Sequence, residues 1–596
     1  VSSETSTLAG DEIRLRRADP AERREAFALL WRAARPDRRE VRTATLWLAV
    51  AGLLEAAGPL LGKQFIDAYL LPRALDWTMM SLLVGGYLAT GAAATVLRYV
   101  QLVRLAGLAT RSVLRLREAV YGHVLRLPMA FFDRAITGQL VSRITNDTEA
   151  VKRLYTQVLF EVLVGLTVLF GVIVAMLWLD WRLLLLVLVL VPATTGIVWG
   201  YQRLSAGPVA RARALRSDIN ARVAEGIAGM SVLQAMGAAP RFRALFSGTN
   251  EAHYAARMGE VRANAWLLRP ALDFLNILLI VILVAAVGTD QVAGVEAGLL
   301  YAFIAYVARI VEPLIQITMQ FSSLQQSVIA AARVNTLLQE SVPPVARHDG
   351  RIRRGALRLA DVTFGYDPAQ PVLHDLSLDI PAGAFIGIVG HTGSGKSTLL
   401  ALLLRFYAPQ AGRVDIDGMP LPAIDDAHFR AAVGLVPQEP FLLAASAREN
   451  IDMGRGLSDV EVIAAARAAR AHEFIAALEA GYATPLGEGG ARLSSGQKQL
   501  IAVARALAGK PKILFLDEAT SRIDSETEQR VQEALAELHG RTTVIAIAHR
   551  LSTIRAADRI VVLNHGRIAE EGTHEALMAI PEGIYQRLYL LQQIGE

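Results

Sequence analysis

The chemistry of this chain is densest at Gly390-His391-Thr392-Gly393-Ser394-Gly395-Lys396-Ser397, which fits G-x-x-x-x-G-K-[ST] in full. Glycines at those positions let backbone N–H groups wrap phosphate oxygens. A lysine then reaches the β and γ oxygens, and a serine hydroxyl ligates Mg²⁺. Thr398 opens the following helix and joins the set. The expected ligands are ATP and Mg²⁺.

Other residues extend that chemistry. ILFLD, residues 513–517, ends on Asp517, a carboxylate for Mg²⁺, and Glu518 follows as the group that orients and deprotonates an attacking water. Gln438, in VGLVPQEPF, ends another apolar run, and an amide there touches both Mg²⁺ and the lytic water. His549, in TTVIAIAHR, is either a structural hydrogen bonder or a γ-phosphate contact, and its place after a β-rich run beside a nucleotide site favours the contact. Tyr366, in VTFGYDP, either stacks on adenine or is a core tyrosine. A second glycine- and serine-rich stretch, GEGGARLSSGQKQL at 487–500, precedes another helix pattern. It too suits an anion at a helix N-terminus, and two such sites in one chain call for an explanation.

The elements that must position these groups are legible around them. IGIVG precedes the first loop and STLLALLLRFY follows it, the order strand, phosphate loop, helix. From about residue 356 apolar β-type runs alternate with helices, which predicts an α/β domain over 356–592.

Upstream the composition changes. The 596 residues are 53% hydrophobic, with a mean hydropathy of +0.35, and the excess lies within 43–320. Runs of about 20 apolar residues are long enough to cross a bilayer, and six are found, at roughly 43–62, 77–97, 155–179, 183–200, 266–288 and 297–320. The two long connections, 98–154 and 201–265, are rich in arginine and the short ones are not, so the long ones face the cytoplasm. An even number of spans returns the ATP-binding domain to the same side. The net charge of +5 and pI of about 9.4 therefore reflect positive-inside flanks rather than nucleic-acid binding. There are no cysteines, which excludes disulfides, thiolate metal sites and cysteine nucleophiles. The first twenty residues lack an apolar signal-peptide core. Phe27, Leu30, Trp31 and Ala34 share one helical face flanked by arginines, which suits a helix in the cytoplasmic membrane interface. The expected organisation is a tail and interfacial helix at 1–41, a transmembrane domain at 42–323, a linker at 324–355 and the ATPase domain at 356–592.

Tyr366, the phosphate loop, Gln438, LSSGQ at 493–497, ILFLDEATS, the SRID stretch ending on Asp524, and His549 resemble, in kind and order, the motifs of ABC-transporter ATPase domains. Six spans fused ahead of them resemble a type IV ABC exporter half-transporter over about residues 25–592. FFDRAITGQLVSRITND resembles the first intracellular coupling segment of those exporters. YATPLGEGGARLSSGQKQL and LLYAFIAYVARIVEPL are most similar to the MdlB subfamily, a bacterial multidrug-like half that pairs with a different half, MdlA.

The resemblance accounts for the second anion site. In this family two ATPase domains close head to tail, so Ser494, Ser495, Gly496 and Gln497 serve the ATP held by the partner, with Asp524 in the adjoining D-loop. The family's signature is LSGGQ, and here Ser495 replaces its first glycine. An intact glutamate beside an altered signature implies one member of an asymmetric pair, with a homodimer as the alternative. The implied function is ATP-driven export of hydrophobic or amphipathic solutes from a bacterial cytoplasm across the inner membrane. Both termini and the ATPase domain lie in the cytoplasm. A lipid or lipopeptide flippase, or a non-transporting ATP-dependent sensor, are the alternatives. Six charged residues fall in spans: Glu55, Glu161, Arg269, Asp273, Arg309 and Glu312. The pairs Arg269–Asp273 and Arg309–Glu312 can self-neutralise on their own helices. Glu55 lacks such a partner and is the candidate for a substrate-facing residue.

Overall fold

In a computed structural model the described residues are 24–595, apart from 26–27, 30, 34, 74–75, 268, 289–295, 344–348, 519–524 and 549. The chain divides into two compact units. One comprises Val1–Leu127 and Ala135–Ser341, the other Pro128–Arg134 and Val342–Glu596.

The first unit is helical. Its main helices are α1 (Arg38–Phe65), α2 (Trp77–Val124), α3 (Phe160–Leu179), α4 (Trp181–Leu188), α5 (Leu190–Ala228), α6 (Ala239–Leu267), α7 (Arg269–Gly288) and α8 (Ala297–Gln339). Among the described residues five helical stretches are long and apolar enough to cross a membrane: Arg35–Leu70, Trp77–Val124, Thr137–Leu179, Ala239–Ala285 and Ala297–Gln339. The apolar run at 183–200 is divided between α4 and the start of α5, so neither helix carries the whole of it. The face turned outward is apolar, with Leu82, Leu88, Phe170, Trp178, Phe274 and Val281 all exposed. Backbone groups satisfied within helices and a lipid-compatible surface are what a bilayer requires. Inside, α1 and α3 cross closely. A Cβ on Gly52 would meet Thr167 Cγ2 at 2.6 Å, and one on Gly171 would meet the Gly52 carbonyl at 3.1 Å. Such small-residue crossings substitute for a hydrophobic driving force, which is weak between helices in lipid.

The second unit holds two sheets. Strands β1 (Leu357–Phe364), β2 (Leu373–Ile380), β4 (Ala411–Ile416) and β5 (Met419–Pro420) form an antiparallel sheet ordered β2-β1-β4-β5. Strands β3 (Phe385–Val389), β6 (Val433–Val436), β7 (Ile513–Asp517), β8 (Thr543–Ile547), β9 (Arg559–Asn564) and β10 (Arg567–Gly572) form the other, ordered β10-β9-β3-β8-β7-β6. All its neighbours are parallel except β10 with β9. Side chains alternate between two cores. Ile386, Ile388, Ile513, Phe515, Ile545 and Ile547 face one, and Val389, Leu514, Leu516, Val544 and Ala546 the other. A sheet covered on both faces explains why these strands read as unbroken apolar runs.

Candidate functional site

The carboxyl ends of parallel strands are where open α/β sheets bind ligands, and four such ends supply this site. Strand β3 delivers the loop Gly390–Gly395 to the start of α9 (Lys396–Leu403). Gly390, Gly393 and Gly395 have φ of 152°, 83° and 102°. At Gly390 a Cβ would lie 2.2 Å from the Leu563 carbonyl, so only glycine fits there. A cavity of about 420 Å³ opens over this loop and is lined by Gly390–Thr398, Glu518 and Ala548. Leu588, Leu591 and Gln592 of a C-terminal helix, α12 once α10 (Ser495–Ala508) and α11 (Ser525–Ala536) are counted, also line it; α12 spans Ile584–Gly595.

The side chains in the cavity suit a polyanion. Lys396 Nζ donates to the carbonyls of Gly390 at 2.7 Å and His391 at 3.0 Å. Burial lowers the Lys396 pKa, while Glu518 and Asp517 pull it up. Ser394 Oγ is buried without a hydrogen-bond partner, an orphaned group whose cost a ligand oxygen would relieve. Strand β7 ends on Asp517, whose carboxyl is raised by burial and by Glu518 and lowered by Lys396.

Glu518 has φ of 45°, a left-handed conformation costly for a residue with a Cβ. Its N–H donates to the Ile547 carbonyl at 2.9 Å, which holds it beside the end of β8. Gln438 Nε2 donates to Glu518 Oε2 at 2.5 Å. The predicted base and the predicted amide therefore meet, although eighty positions separate them in sequence. For Mg²⁺, no group of three or more His, Asp or Glu side chains is arranged around a metal among the described residues. A serine hydroxyl, one carboxylate and nucleotide oxygens are a normal Mg²⁺ set, a set that Ser397 and Asp517 fit by chemistry.

The second glycine- and serine-rich stretch lies elsewhere. Ser494 caps α10 in a reciprocal box: Ser494 Oγ accepts from the Gln497 N–H at 3.2 Å, and Gln497 Oε1 accepts from the Ser494 N–H at 3.1 Å. Ser495 is exposed and Gly496 buried. None of Ser494–Gln497 is among the residues lining the phosphate-loop cavity. Helix α10 is nevertheless tied to the Gln438 loop. Arg505 donates to the carbonyls of Phe441 at 2.7 Å and Asn450 at 2.8 Å, and Gln499 Nε2 to that of Pro437 at 3.4 Å.

The sequence reading singled out Tyr366 but missed the aromatic group that it joins. Tyr366 is half exposed and packs edge-on to Phe364 and Tyr407, at centroid distances of 5.4 and 5.1 Å. Tyr407 OH donates to Asp133, in the Pro128–Arg134 stretch that packs with this unit. Burial and that hydrogen bond push the Tyr407 phenol up to about 12. RFYAPQ carries no periodic signal to single Tyr407 out. His549 and Asp524 lie outside the described residues.

In the helical unit, Glu55 is paired after all. Its carboxylate lies 3.6 Å from Arg98 of α2, so the partner is on a neighbouring helix rather than its own. Arg269 sits 3.9 Å from Asp273, as expected, and also 3.8 Å from Glu312. The expected Arg309–Glu312 pair is replaced: Arg309 donates to the Glu55 backbone carbonyl.

Residues 41–314 match the family model for the ABC transporter transmembrane region, and residues 373–521 the model for the ABC transporter. A multidrug resistance-like ATP-binding protein MdlB of Buchnera aphidicola is 34% identical, over 94% of this chain and 96% of that one. The chain belongs to the ABC transporter family. An ATP-dependent lipid A-core flippase of Syntrophus aciditrophicus is 33% identical to this ABC transporter, over 98% of this chain and 97% of the relative. A solved bacterial Atm1-family ABC exporter with ATP bound superposes with a TM-score of 0.77 at 29% identity, covering 93% of this chain and 98% of that one. The protein is therefore a multi-pass membrane transporter of the exporter class, whose helical membrane domain is fused to an α/β domain that binds and hydrolyses ATP.

Proposed function

We propose that this chain is one half of an exporter that moves hydrophobic or amphipathic solutes out of a bacterial cytoplasm. Six membrane spans, an inner-membrane location and both termini in the cytoplasm belong to this reading. The need for a second half is carried by the LSSGQ signature at the N-terminus of α10, an anion site apart from the phosphate loop: no residue of Ser494–Gln497 lines the phosphate-loop cavity, and although Tyr366, Gln438 and Asp517 do not line it either, Gln438 is bonded to Glu518, which does. The partner proposed is a different, MdlA-like chain, since Lys396, Gln438, Asp517 and Glu518 are intact while the signature carries Ser495.

In the cavity Lys396 balances charge on the β and γ oxygens. The backbone of Gly390–Thr398 holds the phosphates, and Tyr366 supports the base. Glu518, positioned by Gln438, orients the attacking water and accepts its proton. His549 contacts the γ-phosphate and Asp524 lies at the dimer seam. Mg²⁺, when bound, would supply charge neutralisation to the phosphates, and Ser397, Asp517 and Gln438 would hold it. A flippase acting on lipid is the second reading, favoured by the similarity to the lipid A-core flippase over nearly the whole chain.

The test is ATPase turnover of this chain purified alone in lipid, compared with Glu518→Gln. Turnover is expected to be low alone and to rise when a second, different half is added. The Glu518→Gln substitution is expected to remove about 10² or more of the rate of the assembled pair, the lower end for loss of a general base. Full turnover by this chain alone would refute the heterodimer, and turnover unaffected by the substitution would refute the role of Glu518.

A further inference from the structure

A cavity of about 450 Å³ lies wholly within the helical unit, far in sequence from the ATP site. That volume is in the range of small-ligand pockets. Its walls are apolar and come from several helices: Leu105 and Leu108 of α2, Phe160 and Leu163 of α3, and Leu324 of α8. Its rim carries Arg35, Arg38 and Arg42. The acids of the same turn are already used, Asp37 by Arg115 and Glu40 by Arg111. Among the described residues none of Arg35, Arg38 and Arg42 has an ion pair, so three cations line one apolar cavity, with the nearby Asp37 and Glu40 engaged by other arginines. The site also has a defined depth. Arg42 and Thr45 bracket the start of the first apolar run and Tyr155 the start of the third, while Leu105, Leu108 and Leu324 lie just past the ends of the second and sixth, so the cavity straddles the cytoplasmic boundary of the bilayer.

We propose that this cavity is a binding site for an anionic phospholipid, with its phosphodiester at Arg35, Arg38 and Arg42 and an acyl chain against Leu105, Leu108, Phe160 and Leu163. Basic pockets between membrane helices on the cytoplasmic side bind anionic head groups for this reason. A zwitterionic lipid offers the same chain but no net charge for the three arginines. A soluble anion offers charge but nothing to cover the apolar walls. Bound lipid would join α1 to α2, α3 and α8, the helices that line the cavity.

The test uses the full chain reconstituted in vesicles of phosphatidylcholine with a minor fraction of phosphatidylglycerol, then extracted, with retained lipid counted by native mass spectrometry. The wild type is expected to keep phosphatidylglycerol in preference to phosphatidylcholine. Arg35→Gln/Arg38→Gln/Arg42→Gln is expected to lower that preference by roughly fivefold per arginine, and the corresponding triple lysine variant to keep most of it. Leu105→Trp, which fills the cavity and leaves every arginine, is expected to lower it as well. Loss in the glutamine variant with full retention in Leu105→Trp would mean surface attraction only and would overturn the site. So would displacement by inorganic phosphate, or a wild type without preference. A co-purifying transported solute in place of phosphatidylglycerol would overturn the assignment of the occupant.

Discussion

Gly496→Ala separates what the signature does within its own chain from what it does for a partner. A Cβ on Gly496 would lie 2.6 Å from Thr527 Oγ1 and 2.9 Å from Thr527 Cγ2. The second distance is roughly 0.6 Å inside the optimal carbon–carbon range. Thr527 sits in α11 and is β-branched, so it has few other rotamers to escape into. Helices α10 and α11 must part instead, an overpacking strain of about 1–3 kcal/mol. For a domain of this size that lowers the thermal midpoint by about 2–12 °C. The same Cβ blocks close approach of the backbone to a partner's phosphate. The assay is therefore double: thermal unfolding, and ATP retained after dilution by the assembled transporter carrying Glu518→Gln. Gly496→Ala is expected to lower both, and in a pair of different chains retained ATP falls by half rather than entirely. Adding Thr527→Ala removes the two nearest atoms and leaves only its Cβ, at 3.1 Å, so most of the stability is expected to return while retention stays low. If retention returns with stability, Gly496 only packs against α11 and the trans role is wrong. If Gly496→Ala changes neither quantity, the packing argument fails as well.

Tyr366→Ala is expected to raise the ATP KM roughly three- to tenfold, the worth of one aromatic stack, with kcat little changed and Tyr366→Phe close to wild type; an unchanged KM would return Tyr366 to a packing role. Asp517→Asn is expected to raise the thermal midpoint of the nucleotide-free protein and to abolish the further rise given by Mg²⁺ and ATP. The sign follows from burial: folding raises the Asp517 pKa, so the stability linked to its protonation is present at low pH and lost as pH rises through the folded value. Asp417 behaves in the opposite way. Its carboxylate is pushed up by partial burial but pulled down further by the N–H groups of Arg353, Arg354, Gly355 and Ala356, at 2.7–3.2 Å, and its pKa ends below 3.8. Asp417→Ala is expected to cost about 1–2 kcal/mol at neutral pH after solvent screening. That difference should vanish as pH falls below 3.8 and through the lower folded value. A difference that persisted in acid would exclude the carboxylate as its source.

The phosphate loop was legible because its chemistry is local: one loop, one strand before it and one helix after it. Asp517 and Glu518 were legible because a buried parallel strand ends there. The contact between Gln438 and Glu518 was not, since β6 and β7 are neighbours only in the sheet order. Tyr407 and the α12 residues lining the cavity were missed for the same reason, as nothing in their spacing marks a non-local contact. In the membrane unit charge pairing was read along single helices, where i, i+3 and i, i+4 geometry is computable. It succeeded for Arg269–Asp273 and failed for Glu55 and Arg309, whose partners lie across a helix–helix contact. Glu55, with Arg98 of α2 at its carboxylate and Arg309 of α8 at its carbonyl, is a joint between three helices.

The two signature positions that differ from each other most are adjacent. Gly496 is buried against Thr527, and the chain's own packing penalises a side chain there whatever the partner requires. Ser495 is exposed at the first turn of α10, so its side chain costs the folded chain little. The cap made by Ser494 and Gln497 forms regardless of what stands at 495. A substitution that the chain tolerates can be penalised only by the surface it meets. The consequence of Ser495 is therefore decided at the partner's phosphate loop. Restoring glycine there should cost the isolated chain no more than about 0.5 kcal/mol, the difference in helix propensity between serine and glycine. Any change in ATP turnover or retention on restoring it must then come from the assembled dimer.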